Sequence, residues 1–412
     1  MSQPPPRPHA LSVSPFACRA DRLIKELWDR KITPKPPLDP EFLWQIGARG
    51  YTSEDEVSCR SADEVDDFRE RLARLCHSLR EEADLNALGH TMAYGQLKKA
   101  IRERHALGRL WRTRPELART AIAAPIIVAG QMRSGTTRVH RLLAADPAHC
   151  GTRFCDSHHP VPARPDLRPL ISRAALAMAR RINPWLDTLH PFSPTRVDEE
   201  IGWLASALSP PSYEAQWHVP SYVSWSEGRD PAPVYAEFAR ILRTDAAHHG
   251  NADRTRILKC PQFSEDLPAL VAQFPGARIV STAREQNAVW ASAVSMVACQ
   301  SAFQTCAPAL APIESAWMRK IAMRERRLNA SLAQLPNPVA RVTFEQLNRD
   351  WREAMRAVYD ALGAELTDAA LAAMEAELAR SEGDWHRHHS RDIAGFGLTA
   401  SEAGRIGRRA AG

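Results

Sequence analysis

Residues 125 to 147 constrain what this chain can fold into more than any other stretch. They read Pro-Ile-Ile-Val-Ala-Gly-Gln-Met-Arg-Ser-Gly-Thr-Thr-Arg-Val-His-Arg-Leu-Leu-Ala-Ala-Asp-Pro. Ile126, Ile127, Val128 and Ala129 form a short apolar run rich in β-branched residues, the pattern of a buried strand. Gly130 ends it. After Ser134-Gly135-Thr136-Thr137, residues Val139, Leu142 and Leu143 fall at helical spacing until Asp146-Pro147 closes the segment. A strand, a tight turn and a helix start together aim backbone N–H groups and the positive helix end at one spot. That spot suits a phosphate or another tetrahedral oxyanion. Ser134, Thr136 and Thr137 add hydroxyl donors, and Arg133 adds a forked, fixed charge. The plainer reading of the same residues is a strand-turn-helix whose Ser and Thr serve only as caps.

The stretch departs from the nucleotide-triphosphatase pattern G-x-x-x-x-G-K-[ST]. Gly130 and Gly135 stand at the right separation, but Thr136 takes the place of the Lys. This weakens a Mg²⁺-dependent hydrolase reading.

Further along, the periodicities alternate. Residues 20 to 120 read as helical. Ser61-Ala62-Asp63-Glu64 fits a capping box, and Val65, Phe68, Leu72, Leu75 and Leu79 make one apolar stripe, expected to pack on the flank of the sheet that follows. Residues 148 to 168 read as a loop over the site and 168 to 190 as a helix. Asp198-Glu199-Glu200 opens a periodic stretch, Ile201 to Leu208; acidic residues there also fit a macrodipole role. A second strand is expected at Arg256 to Lys259, before Cys260-Pro261, a third at Arg278 to Ala283, with Arg284 at its end, and a fourth at Val339 to Thr343. Strands alternating with helices predict an α/β fold: a parallel sheet with helices on both faces, P-loop-like and three-layered, with an added N-terminal helical region. Ligands of such sheets bind beyond the carboxyl ends of the strands. Three strand ends there deliver cations or N–H donors: the 130–137 turn, Lys259 and Arg284.

The expected organisation is a loose tail over 1–20, a helical extension over 21–120, an α/β domain over 121–400 and a C-terminal tail over 401–412. The chain has 412 residues, 44% of them hydrophobic, enough for a sizeable core. Lys plus Arg number 54 against 48 Asp plus Glu, a formal charge of +6, which suits an anionic ligand but is too diffuse for nucleic acid. No run of 18 apolar residues predicts a membrane span. The eight cysteines lack paired spacing, which favours a reduced, cytoplasmic protein. Trp217, Tyr222 and Trp225 sit among Pro and Ser, where aromatics can wall a pocket or simply fill a core.

Taken together, these residues resemble the sulfotransferase family, particularly its bacterial branch, from about residue 120 to 400. Ile126 to Pro147 resembles that family's 5′-phosphosulfate loop, a strand, G-x-P-R-S-G-T-T and a helix ending in D-P, with Met132 here in place of Pro. Arg284 and Ser292, eight apart, resemble its 3′-phosphate motif, although Ala283-Arg284-Glu285-Gln286 replaces the usual His-Arg-Asp-Pro. Asp198-Glu199-Glu200, the segment from Tyr213 through Trp217-His218 to Tyr222, Leu258-Lys259-Cys260-Pro261 and the segment from Phe274 to Val280 follow in order. His388-His389-Ser390 and Phe396-Gly397-Leu398-Thr399 resemble its closing segment.

The resemblance implies 3′-phosphoadenosine 5′-phosphosulfate as donor and a hydroxyl or amine on a small molecule or conjugate as acceptor. It implies that Arg133, Ser134, Gly135, Thr136 and Thr137 hold the 5′ side, and that Arg284 and Ser292 hold the 3′-phosphate. Lys259 is placed to reach the leaving oxygen; a structural ion pair is the plainer role. Glu199 and Glu200, matching the family's acidic pair, are the first candidates for the general base, His218 the second and His190 the third. Neighbours at a helix start point about 100° apart, so at most one Glu faces the pocket. No metal is assigned to the His386, His388, His389 cluster, which lacks a partner carboxylate. Two rivals remain: a nucleotide-binding protein without catalysis on the same fold, and a P-loop kinase. The acceptor and the oligomeric state are not legible in the sequence.

Overall fold

A computed structural model of the chain describes residues 4–381 and Phe396. Its centre is a five-stranded, all-parallel sheet of β1 (Ile126–Gly130), β2 (His149–Gly151), β3 (Thr255–Lys259), β4 (Arg278–Ala283) and β5 (Val339–Thr343), in the order β2-β3-β1-β4-β5. The apolar run of β1 makes it the middle strand. It is buried along its whole length, as a parallel strand covered on both faces must be. Alternate residues face opposite layers. Ile126 and Val128 pack with Val139, Leu142 and Met355 under helices Thr136–Ala145 and Trp351–Ala361. Ile127 and Ala129 pack with Phe238, Phe263 and Leu328 under helices Ala232–His249, Phe263–Gln273 and Leu310–Gln334. The expected α/β class is the one observed.

Two expectations need correction. The capping box at Ser61 and Glu64 starts helix Ala62–Glu81, but its Phe68, Leu72, Leu75 and Leu79 do not lie on the sheet. They form a second core with Leu97 and Ile101 of helix Ala87–Thr113 and with Tyr213, Trp217 and Tyr222. Only the far end of that second helix, through Leu107 and Trp111, joins the core under the sheet. The reason is that the 208–225 segment supplies enough aromatic surface to cover the stripe. Nor are residues 4–20 loose. Helix Pro15–Asp29 begins at a Ser14 cap, and buried Arg7 donates to the Ser295 hydroxyl at 3.1 Å, to its carbonyl at 2.9 Å and to the Ala10 carbonyl at 2.6 Å. The Pro5 carbonyl accepts from the Trp185 indole at 2.9 Å. The backbone groups of a proline-rich segment have no ladder to join, so they are satisfied by side chains of the body instead.

Among the described residues no helix is long and apolar enough to cross a membrane, and the cysteines form no disulfide. Residues 382–395 and 397–412, which include His386, His388, His389, Ser390 and most of the closing segment, lie outside the described residues.

Candidate active site

β3, β1 and β4 are neighbours, so their carboxyl ends deliver Lys259, the 131–135 turn and Arg284 to one edge of the sheet. The turn is built by unusual backbone. Arg133 adopts φ 68° and Gly135 φ 91°, both left-handed, and Gly135 caps helix Thr136–Ala145 without any side-chain hydrogen bond. The free N–H groups of that first turn therefore point out of the helix end, where an oxyanion fits. A non-glycine residue held at positive φ costs energy and commonly marks a functional turn.

The expected anion-binding side chains divide. Arg133, Gly135, Thr136, Thr137 and Arg284 line one large cleft. Ser134 does not. Its hydroxyl is buried against that of Thr282 at 2.7 Å and donates to the Gln131 carbonyl at 2.6 Å, so it pins the turn to β4. Arg133 Nε donates to the Ser292 hydroxyl at 2.8 Å, and Arg284 donates to the Arg133 carbonyl at 2.9 Å while its guanidinium lies 4.1 Å from the centre of the Phe344 ring. The two guanidiniums and Ser292 thus form one connected group. Burial and the nearby Arg284 charge push Arg133 down to about 10; burial lowers Arg284 as well. The departure at 285–286 has a plain physical account. The Glu285 carboxylate accepts from the N–H of Asn287 at 2.9 Å and of Ala288 at 2.8 Å, closing the turn after Arg284 as an N-cap.

On the other side of the turn, Lys259 is buried. Its ammonium donates to the Thr137 hydroxyl at 3.2 Å and pairs with the Glu199 carboxylate. Asp198 pairs with His190 at 2.9 Å, and oxygens of Asp198 and Glu199 and a ring nitrogen of His190 all lie within 4.8 Å of one another. Burial alone would raise Asp198, but His190, Lys259 and Arg141 hold its carboxyl well below the usual range. Glu199, Asp198 and His190 line the cleft.

Glu200 does not. It is fully buried, and its carboxyl accepts the Lys259 backbone N–H at 2.8 Å. Burial pushes it up from an ordinary 4.5 to about 8. Folded Glu200 therefore keeps its proton across a range in which the unfolded chain loses it. Stability should fall as pH rises from about 4.5 to about 8. Melting curves of wild type and Glu200→Gln should nearly coincide at pH 5, with the variant the more stable at pH 8.5. Parallel pH profiles would show that Glu200 is not the titrating group.

His218, the second candidate base, is corrected too. It is exposed, and the charged group that feels it is Glu82, on the helical N-terminal side. Trp217 donates to Gln304 at 2.8 Å and Tyr222 to the Leu208 carbonyl, so both belong to the second core and do not wall the cleft. Trp225 stacks with Tyr222 beside Arg71 and Arg229. The apolar wall comes instead from helix Arg168–Ile182 and its surroundings, among them Leu176, Ile182, Leu189 and Phe154. Sequence offered one signal for this: the run of Ala, Leu and Met through Ala174-Ala175-Leu176-Ala177-Met178.

Comparison with known proteins agrees with this geometry. Residues 125–368, more than half of the chain, match the sulfotransferase family. No curated protein matches the chain. The structure is similar to that of sulfotransferase STF1 from Mycobacterium tuberculosis, with 28% identity and a TM-score of 0.71 over 88% of this chain and 99% of that one. It shares its fold with sulfotransferase STF9 from Mycobacterium avium, at 20% identity and a TM-score of 0.73, over 88% of this chain and 93% of that one. A match that begins at the first strand and takes in the anion turn, Lys259 and Arg284 means that the chain belongs to the sulfotransferase family.

Proposed function

We propose that the chain moves a sulfuryl group from 3′-phosphoadenosine 5′-phosphosulfate to a hydroxyl or amine by in-line displacement. The observation that carries the reading is the convergence at one sheet edge of a free helix N-terminus, a buried Lys259 on Thr137, and the linked group Arg133, Arg284 and Ser292. Two anionic ends of one nucleotide would be met by two separate sets of donors. The N–H groups of residues 135–137, with Thr136 and Thr137, hold the 5′ side; Arg284, steadied by Phe344, and Ser292 hold the 3′-phosphate.

In the transfer, the sulfur–oxygen bond to the phosphate breaks as a bond from sulfur to the acceptor's oxygen or nitrogen forms. Lys259 donates a hydrogen bond to the departing bridging oxygen, where negative charge grows. Glu199 takes the acceptor's proton; it lines the cleft and already touches the ammonium that turns to the leaving oxygen. His190, held in orientation by Asp198, is the other base within reach. Glu199→Gln and His190→Gln separate the two. The true base should cost about 10²–10⁴ in kcat, the other much less.

Thr136 in the place of the P-loop lysine, with Lys259 and Arg284 at the strand ends, favours this chemistry over that of a kinase. The test is turnover of ³⁵S-labelled donor with simple alcohols and phenols in EDTA. Sulfate should reach the acceptor, with 3′,5′-ADP released. Tight 3′,5′-ADP binding without turnover of any acceptor would favour a binder, and Mg²⁺-dependent transfer from ATP would favour a kinase.

A further inference from the structure

Helix Arg168–Ile182 walls the cleft with its inner side, and its outer face has a composition that the site does not explain. The inner side is settled. Arg168, Ser172 and Leu176, each four apart, are buried, and Leu176 packs with Phe154 and Leu186. Opposite them a second apolar stripe meets solvent. Leu167 is 52% exposed, Leu170 59%, Ile171 51% and Met178 48%, with exposed Ala174 between them. Positions 167, 170, 171, 174 and 178 follow the three-and-four repeat that gathers on one helix face. Four of the seven large apolar side chains that are exposed among the described residues fall in this one stripe. Scattered singly they would need no explanation; a contiguous stripe marks a surface that something covers.

The charge around the stripe has one sign. The helix carries four arginines and no carboxylate. Arg168 is engaged by Asp156 and Asp166, and Arg180 by Asp187. Arg173, Arg181 and, just before the helix, Arg164 are exposed and pair with no carboxylate among the described residues. At about 100° per residue, Arg173 flanks the stripe and Arg181 continues it at its C-terminal end. The long stems of such arginines lie along apolar surface while their heads stay in a polar layer. Cations bordering an exposed apolar face are the pattern of a helix lying flat in the headgroup region of an anionic bilayer. A second copy of this chain suits the face less. A two-fold contact would set arginine-bearing helices against each other, with no carboxylate on either to meet the charge. The stripe also stands on a convex helix, which fluid lipid surrounds without a matching groove.

We propose that the outer face of helix Arg168–Ile182 docks the chain on an anionic lipid surface. Leu167, Leu170, Ile171 and Met178 enter the boundary between headgroups and acyl chains, and Arg164, Arg173 and Arg181 meet lipid phosphates. The helix lies in the plane of the membrane and does not cross it: it has 15 residues, where a span needs about 20 apolar ones. Docking asks nothing of the transfer chemistry, because Leu170, Ile171, Arg173 and Arg181 are not among the residues that line the cleft.

The test is co-sedimentation of the full chain with vesicles of phosphatidylcholine and phosphatidylglycerol in equal parts, and with vesicles of phosphatidylcholine alone. Binding to the mixed vesicles should be at least tenfold tighter and should weaken as salt is added. Leu170→Asp with Ile171→Asp should lower it at least tenfold, and Arg173→Gln with Arg181→Gln about fivefold for each arginine removed. Ala174→Leu should raise it severalfold, by adding apolar area to the same face. All of these variants should keep the Tm and the 3′,5′-ADP affinity of the wild type. Val57→Asp, at an exposed site on the helical N-terminal side, should bind vesicles like the wild type. No binding of the wild type to mixed vesicles, or binding indifferent to Leu170→Asp with Ile171→Asp, would overturn the assignment. Wild-type dimers that these two substitutions break into monomers would overturn it in favour of a second copy, and polyglutamate held as tightly as the vesicles in favour of an acidic protein. Vesicle binding without any affinity for 3′,5′-ADP would leave the docking standing and overturn sulfuryl transfer.

Discussion

Lys259→Met should lower kcat by about 10²–10³-fold, the loss typical of removing one preorganised donor from developing charge. Affinity for 3′,5′-ADP should stay within about tenfold, because the turn's N–H groups and the two arginines are untouched. Lys259 is buried at the end of β3, and water does not replace a buried ammonium easily. The substitution also leaves the Glu199 carboxylate without its cation, which is a stability cost of its own. The double variant Lys259→Met with Glu199→Gln removes that uncompensated charge. It should recover thermal stability without recovering turnover. A single variant with full kcat would take Lys259 out of the chemistry.

Gly130→Ala should be as damaging by a different route. A Cβ at Gly130 would lie 2.2 Å from the Thr282 hydroxyl and 2.8 Å from the Thr282 carbonyl, so the adjacent strand must move. Gly130 pairs with Thr282 across β1 and β4, and its N–H and carbonyl bond to the Ser264 hydroxyl, each at 3.0 Å. No flexible side chain end can simply step aside on the β4 side. We expect a loss of about 3 kcal/mol or more, seen as a fall of several degrees in Tm, and 3′,5′-ADP affinity at least tenfold weaker. Gly228→Ala is the control. Its nearest contact is 3.6 Å from the Trp225 carbonyl, an ordinary distance, and its Tm should barely change. If Gly130→Ala binds 3′,5′-ADP like wild type, the turn geometry is not what holds the nucleotide.

Much of the fold is legible because the strands are short, β-branched and punctuated by Gly, Pro and cations. β4 and β5 lie at the residues their apolar runs indicate, and β1 differs only by including Gly130. β2 is not legible. His149, Cys150 and Gly151 make a three-residue edge strand whose pairing with β3 is decided by tertiary contact and not by a run of apolar residues. The division of labour between Glu199 and Glu200 follows from the turn of the chain: one reaches the cleft and the other is driven inward to cap a strand N–H. Which is which depends on the position of β3. Trp217 and Tyr222, open in the sequence between a pocket wall and a core, are buried under the N-terminal helices. An apolar stripe states that it must be covered, not by what.

The N-terminal region shows the same limit. A proline-rich segment without apolar periodicity reads as loose, yet Arg7 is buried against Ser295 and its guanidinium lies 5.0 Å from the centre of the Phe396 ring. Individual side chains, Arg7 and Trp185 among them, fix the segment, and no periodicity records that.

The most direct measurement of the central claim is titration calorimetry in EDTA with 3′,5′-ADP, 5′-AMP and ATP, on wild type and on Arg284→Ala. Two separate anion sites at one sheet edge predict that 3′,5′-ADP binds at least tenfold tighter than 5′-AMP, and that Arg284→Ala abolishes this difference while leaving 5′-AMP affinity nearly unchanged. Equal affinity of wild type for 3′,5′-ADP and 5′-AMP, or a preference for ATP that appears only when Mg²⁺ is added, would contradict it.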